Sequence, residues 1–202
     1  MCRRATFGRY FADAYTPDGR GHYLKPHWNR RLYMTLVVFF AATLAPALAQ
    51  TVQWTPFSSK EFHFSVSFCG VPSTDPPTVE QKGDRRGTTN LFKARGDDYF
   101  CMIGISDYNF KPDVEEELLL NQTNFIKAVT GTLGTSRRNE FVRAPEKLPA
   151  LTFTFEMPPS HSGKSIVILN GSRVYELVFA YHKTTDYTAA MQKFLSSFEI
   201  TR

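Results

Sequence analysis

Three histidines lie beyond residue 49 and could serve acid–base or metal chemistry: His63, His161 and His182. A metal-binding pair on a helix needs two histidines four residues apart, and none of the three has that spacing. Nucleophilic catalysis often places its serine on a strained Gly-x-Ser-x-Gly turn, and the sequence contains no such turn. We therefore expect solvated histidines, and no motif identifies a catalytic residue.

Phosphate-binding loops are also missing from the sequence. Neither Gly-x-x-x-x-Gly-Lys nor Gly-x-Gly-x-x-Gly occurs, so we expect no nucleotide cofactor. The acidic run Glu115–Glu117 follows Pro112 and Asp113, and it is typical of a helix start, where carboxylates favour the positive end of the helix dipole. A metal cluster there would need oxygen ligands from elsewhere in the chain. We therefore predict neither a metal nor a cofactor.

Two cysteines, Cys69 and Cys101, remain beyond the N-terminal 49 residues, while Cys2 lies within them. In an oxidising compartment the pair could form a disulfide that closes a loop of roughly thirty residues. The alternative is two buried thiols on separate strands, because cysteine is often a small core residue. Both interpretations remain open from the sequence.

The positive charge of the chain is concentrated at its N-terminus. Residues 1–49 hold seven Arg or Lys and two Asp, which accounts for the whole formal charge of +5. Residues 50–202 are formally neutral, so the composition does not indicate nucleic-acid binding. Two local basic groups could contact an anionic lipid or an acidic partner, or could simply keep the surface soluble: Lys82, Arg85 and Arg86, and Arg137 with Arg138.

Residues 1–49 are interpreted as a leader. Arg30-Arg31 precedes an apolar stretch over 34–49 that ends in Ala47-Leu48-Ala49, a small-x-small cleavage pattern. Cleavage would leave Gln50 and send a single globular domain, residues 50–202, to the periplasm or the exterior. The alternative is an uncleaved anchor in the inner membrane. Residues 1–33 are longer and more mixed in composition than the segment that usually precedes such an apolar stretch. A translation start assigned too far upstream would explain them.

Alternating apolar and polar residues predict several strands. Phe62–Phe68 alternates with period two and is predicted as the first strand, and residues 80–89 are predicted as a turn or a mobile loop. Residues 89–95 and 99–107 form one predicted hairpin. Four further strands are predicted, over 137–144, 151–157, 163–169 and 173–181. The last two form a hairpin, whose Asn170-Gly171 suits a type I′ turn.

Two segments have helical spacing instead. Val114, Leu118, Gln122, Phe125, Ile126 and Val129 mark one face, and Tyr187, Met191, Phe194, Leu195 and Phe198 mark another. Strands and helices do not alternate regularly and no repeat is present, which argues against a parallel βαβ fold. The predicted fold is α+β: an antiparallel sheet covered by two helices, in an α/β/α sandwich.

Two segments carry a resemblance to a known group. Phe64-Ser-Val-Ser-Phe-Cys-Gly-Val-Pro72 resembles the "F-x-V-x-F-P-G-x-P" opening of small exported bacterial proteins related in fold to the photosystem II extrinsic P protein and the DcrB group. Gly171-Ser-Arg-Val-Tyr-Glu-Leu with Phe194-Leu-Ser-Ser-Phe-Glu-Ile200 resembles the close of the same sequences. Cys69 stands where that opening has proline. The resemblance implies a PsbP-like sandwich that binds or assembles with an unknown protein or envelope component, and it carries over no catalytic residue.

We therefore expect an exported, non-enzymatic binding or assembly module of the cell envelope. One alternative is an enzyme whose site forms from scattered polar residues near loops 71–90 and 158–163. Another is a module that binds anionic membrane surfaces through the basic residues. The oligomeric state is not predicted.

Overall fold

The segments of alternating apolar and polar residues form antiparallel strands in the computed structural model. The structure describes residues 52–143 and 146–201, without the side chains of residues 82, 139, 141–143 and 146. The predicted leader lies outside the described residues. The strands are β1 (Thr55–Ser59), β2 (Phe64–Phe68), β3 (Ser73–Thr74), β4 (Thr78–Lys82), β5 (Arg85–Arg95), β6 (Tyr99–Tyr108), β7 (Thr132–Arg143), β8 (Glu146–Met157), β9 (His161–Asn170), β10 (Arg173–His182) and β11 (Glu199–Ile200). The helices are α1 (Val114–Ala128) and α2 (Thr188–Ser196).

These strands form two sheets. The large sheet has eight strands in the order β3-β5-β6-β10-β9-β8-β7, with β4 also pairing with β5 beyond β3. The small sheet has three strands in the order β1-β2-β11. All of the pairings are antiparallel. Strand β10 lies inside the large sheet, and the long strand β7 forms one edge of it.

One face of the large sheet packs against the small sheet and α2. Tyr175, Leu177 and Phe179 of β10 point to this side and are buried. The alternating phenylalanines of β2 pack in the same half of the core. There Phe64 stacks on Phe198, with ring centroids 5.8 Å apart. The predicted apolar face of β2 is therefore the face that closes this half of the core.

The opposite face packs against α1. Phe125 of α1 lies 4.7 Å from Phe155 of β8, ring centroid to ring centroid, in an edge-on contact. The Asp113 carboxylate caps the helix by accepting a hydrogen bond of 2.9 Å from the backbone N–H of Glu116. The acidic first turn thus caps a helix, as predicted, and the repeated apolar residues of α1 rest on the sheet.

The fold class predicted from the sequence is confirmed. The chain is α+β, with antiparallel sheets and two helices on opposite faces of the larger one. The prediction of a single β layer is wrong, because β1, β2 and β11 form a separate small sheet beside α2. Only β2 among these three strands has a strong apolar alternation, which is why the sequence did not indicate the second sheet.

Two local predictions are wrong in part. Residues 80–89 contain the predicted turn, but only at Gly83 and Asp84, with Gly83 at φ +65. The residues on either side are strand, because β4 and β5 pair across this turn. The β9–β10 hairpin turns one residue later than predicted, on Gly171 and Ser172, with Gly171 at φ +65. A positive φ at the first of the two turn residues suits a type II′ turn, which favours glycine there, rather than type I′.

Cys69 follows β2 and Cys101 lies in β6, so the two cysteines connect the small sheet to the large one. Their sulfurs are 2.13 Å apart and their Cα atoms 6.1 Å apart, which is disulfide distance. Both side chains are fully buried among the phenylalanines of this core half. The cross-link therefore joins the small sheet to the large one, and within the described residues no strand of one sheet pairs with a strand of the other.

We expect intact-mass analysis of the denatured chain to show two more alkylated cysteines after reduction than before it. Reduced protein, or a Cys69→Ala/Cys101→Ala variant, should lose about 3–4 kcal/mol of unfolding free energy in urea, because the open chain gains loop entropy. An equal number of alkylated cysteines with and without reductant would contradict the cross-link.

Candidate functional site

Two of the three candidate histidines meet at one end of the large sheet. The rings of His161 and His182 are perpendicular, with centroids 5.0 Å apart. His182 also contacts two hydroxyls: Ser160 Oγ lies 2.5 Å from its Nε2, and Thr184 Oγ1 lies 2.7 Å from its Nδ1. His63 lies elsewhere, in the turn before β2. The prediction that all three histidines are simply solvated is therefore wrong for His161, which is buried.

The contacts of His182 look like a nucleophile–base pair but lack a charged orienting group. A serine hydrolase orients its histidine with a carboxylate, whereas the second partner of His182 is the neutral hydroxyl of Thr184. The pKa of His161 is lowered by burial and then by the neighbouring His182, with Asp98 opposing the shift. Because burial favours the neutral ring, His161 packs at the end of the sheet as an uncharged side chain.

The structure separates the two loops of the enzyme hypothesis. Residues 71–90 lie mostly in β3, β4 and the start of β5, and residues 158–163 form the β8–β9 turn and the start of β9. Strands β6 and β10 lie between β5 and β9 in the sheet. Among the described residues, no three His, Cys, Asp or Glu side chains come together as a metal site. In the same part of the chain, no helix has the length and apolar character needed to cross a membrane.

Glu176 is a buried carboxylic acid in the central strand β10, on the side that faces α1. It accepts a hydrogen bond from the hydroxyl of Ser165, with Oγ 3.5 Å from Oε1. Burial raises the pKa of Glu176 to about 8, and the hydrogen bond with Ser165 opposes this shift. The carboxyl group is therefore largely protonated at neutral pH, and its ionisation would place a charge between two apolar layers.

The five basic residues of the predicted patch occupy opposite edges of the large sheet. Lys82, Arg85 and Arg86 flank the β4–β5 turn, where the Arg85 guanidinium lies 4.9 Å from the centre of the Phe110 ring. Arg137 and Arg138 lie in β7 at the other edge. Arg138 pairs with Glu115 of α1 at 2.5 Å. The structure therefore does not form one basic surface from these five residues.

Strand β7 is the most unusual element of the sheet. Within the described residues it pairs with β8 alone, and its residues 132–138 are all exposed, whichever face they point to. A bulge interrupts its pairing between Leu133 and Ser136, and the backbone N–H of Thr135 donates a 2.9 Å hydrogen bond to Thr154 Oγ1. We call the unpaired side of this strand the free edge of β7.

A groove of about 240 Å³ lies beside the start of β7, on the side of the sheet that carries α2. The groove is lined by hydroxyl-bearing and charged residues and by larger residues that include Tyr181 and Met191. Lys164 lies in its floor, and Glu156 is held by Lys183 at 2.9 Å. Ser160 is not among the residues that line this groove. The open sheet surface and the free edge of β7 are thus adjacent.

The free edge was only partly visible in the sequence. The strand predicted over 137–144 covers its second half, but residues 132–136 follow a helix and contain a single large apolar residue, Leu133. A strand that buries neither face has no period-two signal, because that signal comes from burying one face. The absence of alternation beside a strongly patterned strand such as β8 is the one sequence signal for such an edge.

We expect the stability of the chain to fall as pH rises from about 4.5 to about 8, because Glu176 keeps its proton in the folded state and loses it in the unfolded state. Glu176→Gln should remove this contribution and be about 2–4 kcal/mol more stable than the parent near pH 8. Urea unfolding at several pH values measures the difference. Glu80→Gln, at an exposed carboxylate, is the matched control, and identical pH slopes for Glu176→Gln and the parent would contradict the assignment.

No protein-family model matches the sequence, and no curated protein matches it either. Among solved structures, the fold is similar to the solution structure of cyanobacterial PsbP (CyanoP) from Synechocystis sp. PCC 6803, with a TM-score of 0.49 and 10% sequence identity. The similarity covers 74% of this chain and 94% of that chain. At this TM-score it carries no conclusion about function, and membership of the PsbP-like group stays a prediction.

Proposed function

We propose that this chain is an exported, non-enzymatic binding or assembly module of the cell envelope, and that it holds its partner along the free edge of β7. The single observation that carries the proposal is the edge itself. Ten of the twelve residues of β7 pair with β8, and within the described chain none pairs on the other side. Residues 132–138 are all exposed.

An unpaired strand edge presents a row of backbone N–H and C=O groups that can pair with another extended chain. Proteins that bind by strand addition obtain affinity from these main-chain hydrogen bonds and specificity from alternate side chains. The exposed side chains of β7 leave room for those of an added strand, although Ser136 and Arg138 contact Gln122 and Glu115 of α1. The geometry therefore suits recognition of an extended segment better than recognition of a small molecule.

The other edge of the large sheet is built differently. It consists of β3, with two residues, and β4, with five, placed one after the other along β5. Short edge strands offer few backbone groups and are one way in which natural sheets discourage pairing. The contrast between the two edges supports β7 as the binding side.

Export is supported by the leader pattern of residues 34–49 and by the two cysteines at disulfide distance. Disulfides persist in oxidising compartments and are rare in the cytosol. Because the pair links the two sheets within the core, we expect the folded domain to depend on such a compartment. A soluble periplasmic or secreted location follows from this proposal.

Site-specific photo-crosslinking tests the binding edge. A benzoylphenylalanine at Leu133, in β7, should form an adduct in living cells, whereas the same group at Gln81, in β4, should not. The purified partner should then slow amide hydrogen exchange in β7 and leave β4 unchanged, because only the free edge gains hydrogen bonds.

Equal adduct yields at the two positions, or unchanged exchange in β7 when the partner is added, would refute the proposed edge. Both positions are exposed and lie on edge strands of the same sheet, so the comparison controls for general surface reactivity.

A further inference from the structure

The charges around β7, β8 and β9 are mostly paired within the chain. Arg138 pairs with Glu115 at 2.5 Å, Lys147 with Glu140 at 3.5 Å, and Lys183 with Glu156 at 2.9 Å. The first of these pairs lies on the side of the sheet that faces α1, next to the acidic first turn of the helix. These pairs leave little net charge of their own at this edge of the sheet.

Among the residues of these three strands whose side chains are described, two charged side chains stand outside the pairs, and both are positive. Arg137 and Lys164 have no acidic partner within salt-bridge distance in this part of the chain, and Arg137 is exposed. Arg137 is in register with Thr152, and Lys164 with Thr154, so all four share one face of the sheet. This is the face that carries the groove, where Lys164 is part of the lining.

The two cations stand at different distances from the free edge. Arg137 belongs to β7 itself, so its side chain would lie about 5 Å, Cβ to Cβ, from the residue opposite it in an added strand. Lys164 lies two strands further in, about 14 Å from an added strand at the usual strand spacing, and acts through its field rather than by contact. Together they make one face of this edge positive.

We propose, building on the proposed function, that the segment which adds to β7 is acidic on alternate positions. Its carboxylates lie on the face of Arg137 and Lys164. Its residues on the α1 face are neutral, because Arg138 is already paired with Glu115 and Glu116 adds negative charge there. The partner is thus a protein segment of alternating acidic and neutral residues, in extended conformation. A carboxylate beside Arg137 gains an opposite-charge cross-strand pair.

A second copy of this chain fits the edge less well. Two antiparallel β7 strands would bring the Arg137 side chains of both copies to one face of the joined sheet, where like charges repel. The β7 segment also has more basic than acidic residues, Arg137, Arg138 and Arg143 against Glu140. Self-association through β7 is therefore an outcome that would overturn the inference.

Two defined peptides test the charge preference. Acetyl-(Glu-Thr)₄-amide and acetyl-(Lys-Thr)₄-amide share length and β-propensity and differ in charge. Titrated into the ¹⁵N-labelled full-length chain, the glutamate peptide should shift the backbone amides of β7, and the lysine peptide should bind at least about tenfold more weakly. Binding of the glutamate peptide should weaken as salt rises.

Charge reversal at three positions locates the effect. Arg137→Glu should weaken binding of the glutamate peptide about tenfold and improve binding of the lysine peptide, whereas Lys164→Glu should weaken the glutamate peptide about two- to threefold because it is more distant. Arg95→Glu is the matched control: it is an exposed arginine at the end of β5, towards the other edge of the sheet, and should change nothing.

The inference is overturned if the lysine peptide binds as well as the glutamate peptide, if neither binds, if Arg137→Glu has no more effect than Arg95→Glu, or if sedimentation shows a dimer that β7 substitutions dissociate. Equal binding of both peptides with shifts confined to β7 would overturn the charge preference and leave the proposed binding edge intact. Failure of the crosslinking comparison, in contrast, would remove the edge itself.

Discussion

The double-sided burial of β10 is the constraint on which the rest of the structure depends. Tyr175, Leu177 and Phe179 point toward the small sheet and α2, while Val174 and Val178 point toward α1. A strand buried on both faces can be satisfied only if each face is covered by a separate layer. The small sheet, both helices and the link between the two cysteines all serve this arrangement, and α1 and α2 need no contact with each other to do so.

Much of the fold could be predicted because burial leaves a periodic record in the sequence. The strands β6, β8, β9 and β10 and both helices were found where one or two faces are apolar, within a few residues of their ends. The strands that were missed, β1, β3, β4 and β11, are short and owe their conformation to pairing with another strand rather than to their own pattern. Their formation depends on the strand opposite them, which a local pattern does not reveal.

The functional surface was less predictable than the core for the same physical reason. Five basic residues were candidates for surface patches, but only the topology shows that they lie at opposite edges of one sheet. The meeting of His161 with His182, and of Cys69 with Cys101, also depends on strands brought together from distant parts of the chain. Sequence reasoning singled out these cysteines and histidines, but it lacked the strand register that decides what each side chain contacts.

The uneven edges of the large sheet also bear on stoichiometry. A sheet with two long open sides could recruit strands at both and grow into a fibre. Here β3 and β4 interrupt one side, and the bulge near Gly134 limits regular pairing to part of the other. Pairing with further strands is therefore disfavoured on one side of the sheet and restricted on the other. Such an asymmetric sheet favours complexes of one chain with one partner over open-ended polymers.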